Sequence, residues 1–134
     1  MTERVLVNDS AAAQLGDVFD SDCPVRTVLS HVAGRWGVLV LAALDGGPLR
    51  FFELHRRIGG ISDKMLTQTL RTLVRDGLVS RTVEPSSPPK VSYRLTPVGE
   101  DLTAPLLHLL DRIRERTADV IAAQQSHDTQ AATA

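Results

Sequence analysis

The chain has 134 residues, 43% of them hydrophobic, with one cysteine and a formal net charge of −1. That length suits a single domain with a real core, and the lone cysteine excludes an intrachain disulfide. No apolar run approaches the ~18 residues of a membrane span and no basic-then-apolar leader opens the chain, so a cytoplasmic protein without membrane contact is expected.

Residues 1–22 form an acidic arm, expected to be partly disordered, with a short helix that Ser10 could cap. It would run through Phe19, with Leu15, Val18 and Phe19 on one side. Cys23-Pro24 opens an amphipathic helix in which Val25, Val28, Leu29, Val32 and Ala33 recur at helical spacing. Trp36 to Leu44 is apolar nearly all round and should be the central buried helix, stopped by Asp45-Gly46-Gly47-Pro48. Phe52–Ile58 reads as the next helix, ended by Gly59 in a left-handed conformation. Ser62 is the N-cap of a second helix that Gly77 terminates. Leu78–Val83 and Val91–Leu95 alternate as two half-buried strands. Their Pro-rich tip, Pro85–Lys90, should not extend the ladder. Thr96 caps a last helix with Pro97 at its first position, and Pro105 should bend it or break one hydrogen bond.

This order predicts a mainly α fold with a small β-hairpin wing, a winged helix-turn-helix with N- and C-terminal helices for dimerisation. The expected parts are an arm at 1–22, a DNA-binding domain at 23–95, a dimerisation helix at 96–125 and a flexible tail at 126–134. Leu102, Leu106, Leu109, Leu110 and Ile113, followed by Val120 and Ile121, form the stripe expected to pair two copies. The alternative is a helix folded back on its own domain.

The second helix carries the functional signal. At about 100° per residue, Lys64, Thr67, Gln68, Arg71, Thr72 and Arg75 share an arc opposite Leu66, Leu70, Leu73 and Val74. That polar arc, read as free of acid, suits base edges and phosphates in a major groove. The alternative is an ordinary solvated face. Lys90, with Arg94 and Arg81 nearby, suits phosphate or minor-groove contact by the wing. Residues 50–94 carry nine basic and four acidic side chains, while the segments 1–22 and 95–134 are net acidic. Local field rather than net charge steers a polyanion. Four scattered histidines show no metal spacing and no nucleophile has an identifiable base, so neither a cofactor nor an enzyme is expected.

Residues 23–110 resemble the HxlR-type winged helix-turn-helix regulators of bacteria. The resemblance rests on seven elements in order: Cys23-Pro24-Val25, Gly34-Arg35-Trp36, Leu49 to Leu54, Gly60 to Leu66, Asp76-Gly77-Leu78-Val79, Pro88 to Tyr93, and Leu95-Thr96 with Gly99 and Leu102. It implies homodimers on short palindromic operators of double-stranded DNA, joined through the C-terminal helix and N-terminal segments. It implies that Ser62, Lys64, Thr67, Gln68 and Arg71 face the major groove. It also implies thiol sensing, because several family members respond to reactive compounds through a cysteine at the position of Cys23. Two positions depart from the pattern: Gly37 replaces a usual hydroxyl residue, and Asp111-Arg112 stand where a Trp is frequent.

The local chemistry of Cys23 cuts both ways. An N-cap sulfur lies near the positive end of the helix dipole, with Arg26 close by, and this favours thiolate. Asp20 and Asp22 oppose it, and a structural thiol is the alternative. Two further readings stay open: a small-molecule-responsive regulator of the same fold, with its ligand near Trp36 and the C-terminal helix, and a winged-helix protein-interaction module that does not bind DNA.

Overall fold

The apolar spacing noted above produces, in a computed structural model that describes residues 16–133, five helices and one small sheet among those residues. In chain order they are α1 (Pro24–Val32), α2 (Arg35–Leu44), β1 (Leu49–Arg50), α3 (Phe51–Arg57), α4 (Asp63–Arg75), β2 (Val79–Glu84), β3 (Lys90–Leu95) and α5 (Pro97–Thr133). Helix α2 is the centre, burying Gly37, Val40, Leu41 and Leu44 while Leu39 stays exposed, so it is not covered all round as its composition suggests. Its Val40, Leu41 and Leu44 meet Leu54 of α3, Leu66, Leu70 and Leu73 of α4, and Leu78 and Val79 at the base of the wing. No single helix among the described residues is long and apolar enough to cross a membrane.

The sheet is antiparallel with order β1-β3-β2. The strand β1 was not foreseen; it pairs Leu49 with Tyr93 and Arg50 with Ser92. Strands β2 and β3 pair from Val79↔Leu95 out to Glu84↔Lys90. The ladder therefore reaches Lys90, contrary to expectation, because Lys90 itself carries an N–H and only the prolines before it lack one. From Arg81 outward β2 is exposed at every position, Val83 included, and β3 alternates only over Tyr93–Leu95, so the expected half-buried alternation is largely not found.

The helix ends are built as the capping residues dictate. Gly77, at φ +76, closes α4 with paired backbone bonds: Gly77 N–H donates to the Val74 carbonyl and Leu78 N–H to that of Leu73, both at 3.0 Å. At the preceding turn the left-handed residue is Gly60, at φ +85, and Gly59 is not one. Helix α3 stops a residue early, at Arg57, with Ile58 extended, which shifts the reversal onto Gly60. Thr96 caps α5: its Oγ accepts from Gly99 N–H at 3.0 Å and donates to the Gly77 carbonyl at 2.6 Å. One threonine thus ties the start of α5 to the end of α4.

Two expectations about the termini are corrected or cut short, while Pro105 is accommodated as the sequence suggests. Of the expected N-terminal helix, Ser10 through Leu15 lie outside the described residues, and Val18-Phe19 sit in a turn with Phe19 87% exposed. Pro105 lies inside α5 without ending it, at the cost of the one backbone donor proline lacks. The helix then continues past Gln125 to Thr133. Alanines and glutamines favour helix there, and the Thr129 hydroxyl donates to the Gln125 carbonyl.

Candidate nucleic-acid interface

Helix α4 is gripped at both ends. At its start Ser62 Oγ accepts from Met65 N–H at 3.1 Å. His55 Nε2 of α3 lies 3.0 Å from Asp63 Oδ1 and closes the turn between the two helices. At its far end His31 Nδ1 of α1 lies 2.6 Å from Asp76 Oδ2, a partly buried contact. Neither histidine had been given a role from sequence, because the pairs are made across elements.

Held in this way, α4 buries Leu66, Leu70 and Leu73. It leaves Lys64, Thr67, Gln68, Arg71 and Arg75 exposed on the other side, with Ser62 exposed at the start and Thr72 half-buried. Lys64, Thr67, Gln68 and Arg71 line one shallow concavity. Asp63 lines it too and is 82% exposed at its side chain, so the arc is not free of acid. The signal was available, since Asp63 stands about 40° from Thr67 by the same angular count. Its contact with His55 ties that carboxylate into the turn between α3 and α4.

The two faces of the wing differ. Arg81 and Tyr93, paired across the ladder, meet Thr67 and Arg71 in a groove of about 420 Å³. Arg94 pairs with Ser80 in the next register position and therefore lies on the other face. There it lines a cavity with Pro48 and Glu100. The structure thus brings Arg81 to α4, and does not bring Arg94 there. Lys90 is exposed at the outer end of the ladder, opposite Glu84.

The expected dimerisation stripe splits in two. Leu102 and Leu106 pack on the chain's own core, because the first turns of α5 lie against α2 and β3. Leu110 is half-buried, while Leu109 and Ile113 are about half exposed, as are Val120 and Ile121. On α1, Val25, Val28 and Leu29 are exposed although they form that helix's apolar face. Cys23 stands at the N-cap of α1 and is buried, its N–H donating to the Asp20 carbonyl at 3.1 Å. Trp36 lines a cavity against α4, whereas Leu39, Leu107 and Leu110 line a separate one. Within one chain Trp36 and the last helix thus line separate cavities.

Comparison with known proteins follows the same outline. A family model described as HxlR-like helix-turn-helix matches residues 31–120. The chain is 47% identical over 107 residues to the HTH-type transcriptional regulator YtfH of Escherichia coli K12, covering 80% of this chain and 85% of that one. The solved structure of the transcriptional regulator YtfH from Salmonella typhimurium superposes with a TM-score of 0.78 at 44% identity, over 82% of this chain and 98% of that one. The reduced form of the transcriptional regulator YodB from Bacillus subtilis superposes at 0.61 with 35% identity, over 70% and 92%; YodB has also been solved after diamide treatment.

Proposed function

This chain belongs to the HxlR-like helix-turn-helix family and is a transcriptional regulator of the helix-turn-helix type, and we propose that it works in the cytoplasm as a homodimer on a palindromic DNA operator. The observation that carries this reading is the exposed arc of α4, where Lys64, Gln68 and Arg71 stand clear of the core beside Arg81 of the wing. Arginine and lysine pair with guanine edges or phosphates, and glutamine pairs with adenine. Two copies joined through α5 and the bare face of α1 would place their α4 helices about 34 Å apart, one turn of DNA.

The test is fluorescence anisotropy on DNA from the protein's own upstream intergenic region, with an unrelated duplex of equal length, at two salt concentrations. Tight binding to the first and weak, salt-sensitive binding to the second is expected. Arg71→Ala should cost about 1–3 kcal/mol on the cognate duplex and relax specificity at one base position. Lys90→Ala should weaken both duplexes alike and flatten the salt slope by about 1. Equal losses on both duplexes for Arg71→Ala would remove it from base reading.

The likeness to YodB, known in reduced and diamide-treated forms, supports a thiol response through Cys23. With one cysteine per chain, the oxidised products are a disulfide between subunits, a mixed disulfide or adduct, or a sulfenic acid. Because Cys23 is buried at the start of α1, a disulfide or a bulky adduct requires that end of the helix to move. Cys23→Ser should keep its DNA affinity under an oxidant that abolishes binding by the unaltered protein. A serine variant that lost binding to the same extent would remove Cys23 from the response.

A further inference from the structure

Helix α4 stands as a ridge between two grooves. The wing-side groove holds Arg81. The other, a cavity of about 210 Å³ between α4 and the elbow of α1 and α2, is lined by Arg35, Trp36, Gln68 and Thr72 among others. The elbow closes tightly behind it because residue 37 is glycine: a Cβ there would stand 1.9 Å from the His31 carbonyl oxygen. Arg35 is exposed, and its guanidinium carbon lies 4.6 Å from the centroid of the Trp36 ring. It has no ion pair among the described residues.

A helix with its side chains is about 10–12 Å across and fills a major groove about 12 Å wide. The two phosphate backbones bordering that groove must then run along the two flanks of the ridge. One flank presents Arg81 and the other presents Arg35. A guanidinium placed over the Trp36 ring and without an ion pair among the described residues keeps N–H donors for a phosphate, which arginine can meet bidentately. The stack also restricts a long side chain before DNA arrives, so less rotamer freedom is lost on contact.

We propose that Arg35 is a second phosphate clamp, gripping the DNA strand on the flank of α4 away from the wing, with Trp36 as its positioning residue. The assignment rests on the reading of α4 as the DNA-reading helix. It gives the Gly34-Arg35-Trp36 element a role that neither composition nor helical periodicity had supplied.

The experiment is anisotropy of the full chain on the cognate and the unrelated duplex over a salt series, with Arg35→Ala, Arg35→Lys and, as a charge control, Arg112→Ala on α5. Arg35→Ala should weaken both duplexes by about tenfold and reduce the salt slope by about 1. Arg35→Lys should keep the slope and lose part of the affinity, since a lysine keeps the charge and lacks the planar stack. Arg112→Ala should change neither. Unaltered binding by Arg35→Ala, a loss confined to the cognate duplex, or an equal loss from Arg112→Ala would each overturn the clamp. In all three of those cases the unaltered protein still binds its operator and the function stands; an unaltered protein that binds neither duplex at low salt overturns the function itself.

Discussion

Glutamate at both Leu109 and Ile113 should leave a folded monomer whose affinity for a two-half-site operator is about 10²–10⁴-fold weaker. The two residues are one helical turn apart and about half exposed, and neither belongs to the core of its own chain. Charges there meet water in the monomer and carry little folding cost, but two pairs of them facing one another across a dimer would be buried without partners. Separating the copies removes the effective concentration that makes the second half-site an intramolecular event. Sedimentation should report a monomer, thermal unfolding should be unchanged, and affinity for a single half-site should survive. A double variant that still sediments as a dimer would show that α5 does not join the copies. The same substitution at Leu102 would be uninformative, since that side chain packs on its own core.

Gly99→Ala should destabilise the fold by about 2–3 kcal/mol, although alanine is the better helix former by about 1 kcal/mol. A Cβ on residue 99 would stand 2.0 Å from the Leu78 carbonyl oxygen and 2.9 Å from its carbon. Both are backbone atoms, and the Leu78 peptide is fixed from two sides. Its N–H donates to the Leu73 carbonyl and its carbonyl accepts from Thr96 N–H, each at 3.0 Å. Relief therefore requires α5 to lift away from the end of α4. The unfolding midpoint should fall by roughly 10 °C. Gly46→Ala is the control, because a Cβ there meets nothing within 4 Å. Equal midpoints for the two variants would mean that α5 is not seated on Leu78.

What the sequence made legible was local. Ser62, Gly77, Thr96 and Pro97 marked helix ends because each cap is made within a few residues, and the polar arc of α4 followed from periodicity alone. What it concealed depends on partners distant in the chain. Alternation along β2 and β3 told which residues share a face of the wing, but only the packing on α4 decides that the face is that of Arg81 and not that of Arg94. Helical spacing collected Leu102 to Ile113 into one stripe without revealing that its first half meets the chain's own core. The two-residue strand β1 is shorter than any pattern can register. Gly37, met in the sequence only as a departure from its relatives, is required by the carbonyl of His31. The His31–Asp76 contact joins residues 45 positions apart, beyond the reach of any local rule.

The hydroxyl of Thr96, bonded to the Gly77 carbonyl, also sets the gearing of the molecule. It ties the root of α5 to the end of α4, beside the bond from Thr96 N–H to the Leu78 carbonyl. At ~1.5 Å per residue, Ile113 stands roughly 25 Å along α5 from that tie. If two copies cross near Ile113 and α4 follows the root of α5, a rotation of about 5° at the crossing swings both by roughly 2 Å. Two such swings in opposite senses change the span between reading helices by roughly 4 Å, more than the ~3.4 Å between neighbouring base pairs. A signal would not need to touch the DNA-facing surface to release an operator; a few degrees at the far end of the moment arm would be enough.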